Sequence, residues 1–365
     1  MRLDVFCHIV DNYGDAGVCW RLTRRLAQLQ ATGKYDSIRL FCDELTLLNF
    51  LAGGNALQVA KSSGFEIHPW ADAAKKAQEA CPDAVLETFS CDLPKEYLKI
   101  IRQHPHCQWI NIEYLSAEPW IDSHHGMASS GTAPPRYFFF PGFTHASGSI
   151  LKGPFAWSIA ESLKNAWQHR RQEALAMSLF CYDTEKIQVM LNCLTSKSIP
   201  IDVFVCFGQA QASAGNFLKV PFEPGSVIDH HGIRFIGLPF VSQEDYDSLL
   251  ANCDLNIVRG EDSFVRAQWA SKPFIWDIYP QSENAHQIKL EAFIKRYGAA
   301  LSPPDLATLK SLMNFDLSDL SEQNLEKLKI CAKNWTSHLE ELTADGDLAE
   351  KLVDFIEERL KSVKI

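Results

Sequence analysis

Short apolar runs alternate with helical patterns along most of the chain, and this alternation restricts the fold more than any other feature of the sequence. RLDVFCHIV (2–10), SIRLFCD (37–43), FEIHPW (65–70), AVLETFS (84–90) and QWINIEYL (108–115) have the length and composition of strands. Helical stretches separate them: Val18, Leu22, Leu26 and Leu29 share one face after the first run. ELTLLNFL follows at 44–51, an alanine-rich helix near 71–81, and PKEYLKIIRQ at 94–103. Repetition of this kind predicts a parallel sheet with helices on both faces. The rhythm breaks over 116–155 and resumes at about Leu175, with strands at 177–183, 201–208, 232–238, 254–260 and 272–279. Helices are expected at 185–194 and 242–253, from EDSFVRAQWAS, over ENAHQIKLEAFIKRYG, and through the charged tail from about 304.

The expected organisation is therefore two α/β sheets in tandem. The first domain spans 1–155, the second 156–345, and a helix at 346–365 packs back on the first. The irregular stretch carries Trp120, the His124–His125 pair and RYFFFPGFTHASG. Its aromatic run, Tyr137 to Phe140 with Phe143, reads as a buried interdomain packing segment, a partner-docking loop being the alternative.

Composition narrows the class. With 46% hydrophobic and 22% charged residues, the 365-residue chain is that of a globular protein with full cores. A net charge of −10 argues against a nucleic-acid partner held through phosphate contacts. The eleven cysteines are odd in number, sit mostly in apolar runs and form no CxxC, a reduced cytoplasmic pattern. No apolar run approaches the ~20 residues of a membrane span, and no signal peptide is legible. A cytoplasmic monomer with no membrane partner is expected.

The first strand ends in DNYGDAG, and the ligand edge of a parallel α/β sheet is the carboxyl end of its strands. Asp11, Asn12, Tyr13, Gly14, Asp15 and Gly17 are expected to form a loop there, with the helix beginning at Val18. Asp15 as a helix N-cap and Asp11 as a turn residue is the structural alternative. The loop has G-x-x-G and lacks the dinucleotide fingerprint G-x-G-x-x-G. Acid at that position suits a cationic substrate, or a proton to be removed, and excludes a simple dehydrogenase.

A second candidate is VRGEDSFVRAQWA (258–270), where a strand ends at Arg259–Gly260 and a helix opens at Glu261–Ser263. Amides of Asp262 and Ser263 would face an anion, and Gly260 would let a phosphate approach the backbone. A capped helix with acid favouring its dipole is the alternative. YPQSENAHQ (279–287) offers Gln281, Ser282, Asn284 and His286 to a diphosphate or ribose, or is a capping loop. Phe240, after Leu238–Pro239, flanks a planar base or belongs to the core. His124–His125 and His230–His231 lack zinc-site spacing, and no D-x-D stands at a strand end for magnesium. No metal and no cofactor are expected.

Tandem doubly wound sheets with phosphate-compatible loops in the second suggest a GT-B glycosyltransferase: two Rossmann-like domains facing a cleft, with a helical C-terminal tail. DVFCHIVDNYGDAGVCWRLTRRL strongly resembles the opening of the EarP family, bacterial protein-arginine rhamnosyltransferases that modify elongation factor P. The resemblance extends through WINIEYLSAEPW (109–120), FFFPGFT (138–144), SLFCYD (178–183) and VRGEDSFVRAQWA, nearly the whole chain. It implies inverting transfer of rhamnose from dTDP-β-L-rhamnose to one arginine of that factor. It also implies that Asp11, Asp15 and Glu261 matter for activity. The expected substrate-binding residues are Asn12, Tyr13, Gly14, Gly17, Tyr182, Phe240, Arg259, Gly260, Asp262, Ser263 and Gln281.

The chemistry agrees with that implication. Fully deprotonating a guanidinium at neutral pH costs about 8 kcal/mol, for a gap of roughly six pH units at ~1.36 kcal/mol each. A carboxylate first pairs with the fork-shaped cation and then accepts its proton as the C–N bond forms. The family resemblance favours Asp15 as the base, with Asp11 orienting the cation and Glu261 ordering the donor side. Two other readings remain from the residues alone: a nucleotide-sugar transferase with a different acceptor, and a non-catalytic protein that binds elongation factor P.

Overall fold

The computed structural model describes residues 1–9, 13–30, 36–131, 134–182 and 184–362. The chain divides into two compact units: Met1–Gly153 with Leu339–Ile365, and Pro154–His338.

Six strands form the sheet of the first unit: β1 (Arg2–Cys7), β2 (Ser37–Cys42), β3 (Glu66–Pro69), β4 (Ala84–Thr88), β5 (Gln108–Ile112) and β6 (Arg136–Phe139). Their order is β3-β2-β1-β4-β5-β6, and every pair is parallel. This is the doubly wound dinucleotide-fold order. Its central strands are buried throughout because helices cover both faces, which is why they read as unbroken apolar runs. Phe6 and Phe41 stack at 4.9 Å in that core. Beneath them Asp4 takes two bonds from Arg39, at 2.7 and 2.8 Å, and one from Tyr97 at 2.6 Å. Those partners offset part of the cost of burying the carboxylate, whose pKa burial still raises.

The segment 116–155 differs from the expectation. It contributes β6, the edge strand of the first sheet, and its rings pack inside the first unit. Phe139 and Phe143 are buried, and Phe139 meets Phe355 of the helix Leu348–Ser362 at 5.5 Å. Asp347, just before that helix, accepts from Arg25 of the first helix at 2.8 Å. An amphipathic chain end thus closes the face that an edge strand would expose.

The second unit holds β7 (Leu175–Leu179), β8 (Ile201–Val205), β9 (Val227–His230), β10 (Ile233–Gly237), β11 (Leu255–Arg259) and β12 (Phe274–Asp277). The order is β12-β11-β7-β8-β10-β9, parallel except for β9 on the outer edge. Strand β9 and the helices Ala56–Ser63 and Gln209–Leu218 have no counterpart in the sequence reading.

Among the parallel strands of each sheet, chain order reverses direction at one place: between β1 and β4 in the first, between β7 and β11 in the second. Ligands of open α/β sheets bind beyond the carboxyl ends of such strands. Asp15, in the first turn of the helix that follows β1, and the R-G-E-D-S stretch after β11 both lie at these positions.

Candidate active site

The first helix runs Tyr13–Gln30, so Gly14, Asp15 and Gly17 belong to its opening turns and not to a preceding loop. Asp11 and Asn12 lie outside the described residues. Asp15 occupies the third helical position, which excludes the N-cap role. Asp15 is 3% exposed, and its carboxylate accepts from the Tyr114 hydroxyl at 3.1 Å. The Tyr13 ring leans toward Phe50, with centroids 6.3 Å apart.

Asp15 lines a pocket of about 350 Å³ with His8, Trp70, Phe89, Asp92 and Tyr114 among its walls. Trp70 is fixed there by its indole N–H, which donates to the carbonyls of Cys7 at 3.0 Å and Phe41 at 3.2 Å. Phe89 and Tyr114 stack at 4.1 Å with their planes 7° apart. Carboxylate and aromatic faces in one pocket are what a planar cation needs. The sequence reading placed Asp15 here and missed Phe89, Asp92 and Tyr114. Tyr114 lay inside WINIEYLSAEPW, but its role depends on β5 standing beside β4.

In the second unit Tyr182 follows β7, Arg259 ends β11, and Gly260, Asp262 and Ser263 come directly after it. Arg259 is 7% exposed, and its guanidinium lies 4.6 Å from the Phe180 ring and 4.8 Å from the Tyr182 ring. It donates to the Cys181 carbonyl at 3.2 Å and to the Gln209 side chain. Gly260 has φ +65°, a left-handed turn natural for glycine, and its carbonyl accepts from the Trp276 indole at 2.9 Å. The helix Asp262–Trp269 then begins, with Glu261 as its N-cap residue. No carbonyl of the same helix can take up its first-turn amides, so that end favours an anion. Ser263 gives its hydroxyl to the Arg259 carbonyl, tying strand to helix. Asp262 accepts from Gln243 at 2.8 Å, and Glu261 lies 3.9 Å from Lys289.

Asp277, at the end of β12, is a site residue the sequence did not reveal. It accepts from the Tyr182 backbone N–H at 2.7 Å, and burial raises its pKa to about 6 against the lowering effects of that bond, Lys186 and Arg259. Phe240 is half-buried and meets the 40%-exposed Phe207 edge-on at 6.2 Å, beyond the ends of β10 and β8. The pair is only partly covered and so stands at the edge of the core and not within it. Gln281 is exposed in the stretch after β12, its backbone N–H donating to His286 Nδ1 at 3.1 Å. Among the described residues, no three His, Cys, Asp or Glu side chains cluster as a metal site, and no helix is long and apolar enough to cross a membrane.

Residues 3–357 match the family model described as Elongation-Factor P (EF-P) rhamnosyltransferase EarP. The chain belongs to the EarP family. A Pseudomonas putida relative, a protein-arginine rhamnosyltransferase, is 36% identical over 96% of this chain and 97% of its own length. A solved structure described as the structural basis for EarP-mediated arginine glycosylation of EF-P aligns with a TM-score of 0.63 at 29% identity. That alignment covers 98% of this chain and 99% of the other. The spinosyn forosaminyltransferase SpnP shares the fold at 10% identity, with a TM-score of 0.52 over 99% of each chain. Two Rossmann-like units with a C-terminal helix are thus a GT-B glycosyltransferase fold, and the protein is a rhamnosyltransferase of the EarP type.

Proposed function

We propose that the protein transfers L-rhamnose from dTDP-β-L-rhamnose to one arginine of elongation factor P, with inversion, and that Asp15 is the general base. The observation that carries this reading is the pocket of Asp15: a buried carboxylate, oriented by Tyr114, at the switch point of the first sheet and walled by aromatic rings. The P. putida relative bears the name of this activity, and the solved EarP structure concerns arginine glycosylation of EF-P.

The guanidinium enters as a cation and pairs with Asp15. As its nitrogen attacks the anomeric carbon, the bond to the diphosphate oxygen breaks and the proton passes to Asp15. A base on the face opposite the leaving group gives inversion in a single displacement. The diphosphate rests on the first-turn amides of Asp262–Trp269, with Arg259 beneath and Gly260 allowing close approach. Glu261 orders the sugar side of the donor, Tyr182 and Gln281 contact the donor, and Phe240 flanks the thymine. Asp11, with Asn12, Tyr13, Gly14 and Gly17, completes the acceptor side. Amides and side chains carry the leaving-group charge, so no metal or cofactor is required. The acceptor is a translation factor, which places the reaction in the cytoplasm; the enzyme acts as a monomer with no nucleic-acid or membrane partner.

Two-dimensional NMR of the isolated glycopeptide tests donor and stereochemistry together. An α-rhamnosyl linkage formed from the β donor is expected. A β linkage, or equal transfer from UDP-linked sugars, would contradict the reading.

A further inference from the structure

The wall of the Asp15 pocket opposite the first helix is built by residues in an unfavourable backbone conformation. Phe89, Ser90 and Asp92 follow β4 with φ of +55°, +54° and +53°. The left-handed region disfavours residues with side chains, and persists where the surroundings over-determine it. They do so here. The Phe89 amide donates to the Ile112 carbonyl at 2.8 Å, the Ser90 amide to Asn111 Oδ1 at 2.9 Å, and the Asp92 amide to Glu87 Oε1 at 3.1 Å. Glu87 is itself 1% exposed and anchored by the Trp109 indole at 2.8 Å and Arg136 at 2.9 Å.

So much support for a short turn has a visible product. It holds the Phe89 ring flat on Tyr114, whose hydroxyl points at Asp15, and sets the exposed Asp92 at the pocket rim. We propose that the Phe89–Tyr114 stack is the specificity wall for the acceptor. The guanidinium plane lies on the stack while Asp15 pairs with its edge, and Asp92 draws the cation in from the rim. A delocalised, weakly hydrated planar cation gains from such a face, whereas a compact lysine ammonium keeps its water and gains less. The inference rests on the proposed arginine acceptor and adds the residues that choose it.

The test is steady-state kinetics with elongation factor P as the varied substrate and dTDP-β-L-rhamnose saturating, for wild type, Phe89→Leu, Phe89→Tyr and Asp92→Asn. Wild-type transfer to arginine is the control, and its failure would remove the proposed function and not the wall alone. With that control positive, Phe89→Leu should raise the acceptor KM about tenfold, the change ~1.4 kcal/mol of lost stacking gives, with kcat altered less. Phe89→Tyr, which keeps the ring, should hold the wild-type KM. Asp92→Asn should raise KM most at low salt, because a rim charge acts at long range. Calorimetry should find dTDP affinity unchanged in all three. A KM for Phe89→Leu within twofold of wild type overturns the proposal. So does a Phe89→Tyr enzyme as impaired as Phe89→Leu, since the turn would then matter only for folding.

Discussion

Replacing Asp15 by Asn separates chemistry from architecture, because the structure fixes what the substitution removes. The amide keeps the size of the side chain and an oxygen able to accept from Tyr114, the 3.1 Å bond that orients it. It loses the charge at the third position of a helix, where an acid near the N-terminus contributes about 0.3–1 kcal/mol. Stability should fall by no more than ~1 kcal/mol, a melting shift of about 2–4 °C for a unit of this size. The rate is another matter. An amide cannot take the guanidinium proton, and loss of a general base costs about 10²–10⁴-fold, or ~2.7–5.5 kcal/mol of barrier. Loss of the ion pair to the cation adds to that. The assay is transfer to elongation factor P followed by intact mass, beside a thermal melt and calorimetric titration of dTDP. The expected variant is folded, binds dTDP as wild type does, and transfers at least about a hundredfold more slowly. Wild-type transfer would show the carboxylate to be architectural, and an inactive but unfolded variant would return Asp15 to a structural role.

Four further outcomes are expected. Ser263→Pro removes an amide from the first turn of Asp262–Trp269, where proline is tolerated, and should weaken dTDP binding at least tenfold in a folded protein; unchanged calorimetric affinity would sink the donor placement. Glu261→Gln should lower kcat with dTDP affinity preserved, because the side chain is assigned to the sugar and not the diphosphate; a variant that loses dTDP binding instead would reassign it. Transfer should persist in excess EDTA, and activity lost there and restored by magnesium or manganese would contradict charge neutralisation by amides and side chains. For Asp277, whose carboxyl pKa is raised from 3.8 to about 6, the folded state binds the extra proton, so its contribution is full below pH ~4 and lost as pH rises through 6. Asp277→Asn should therefore gain stability relative to wild type between pH 4 and 7, by up to about 3 kcal/mol at ~1.36 kcal/mol per pH unit; a melting difference flat across that range would refute it.

The strands were legible because parallel strands covered on both faces must be apolar throughout. SIRLFC and IDVFV declare themselves by composition alone, and β1, β4, β7 and β11 followed from the same signal. The site stretches after β1 and β11 could be placed once those strands were known, since the ligand edge of such sheets is fixed by topology. Helix boundaries were less legible: the two glycines of YGDAG read as loop, yet the helix starts at Tyr13 and carries both. β6 went unread because it is a four-residue, mostly half-buried edge strand inside an otherwise irregular stretch, and its cover, Phe355, is remote in sequence. The turn at Phe89–Asp92 was hidden for a related reason: AVLETFS looks like one strand, and nothing local announces three left-handed residues held by Glu87, Asn111 and Ile112. Asp277 gave no signal either, because its importance comes from Tyr182, whose amide reaches it from β7's end.

The most direct test of the account is to incubate the purified protein with unmodified elongation factor P and dTDP-β-L-rhamnose and to weigh the factor intact, then fragment it. The account predicts a mass increase of one rhamnosyl group, confined to a single arginine and absent when that arginine is replaced by lysine. A factor that stays unmodified while a fold-competent enzyme binds dTDP, or one modified on a residue other than arginine, would contradict it.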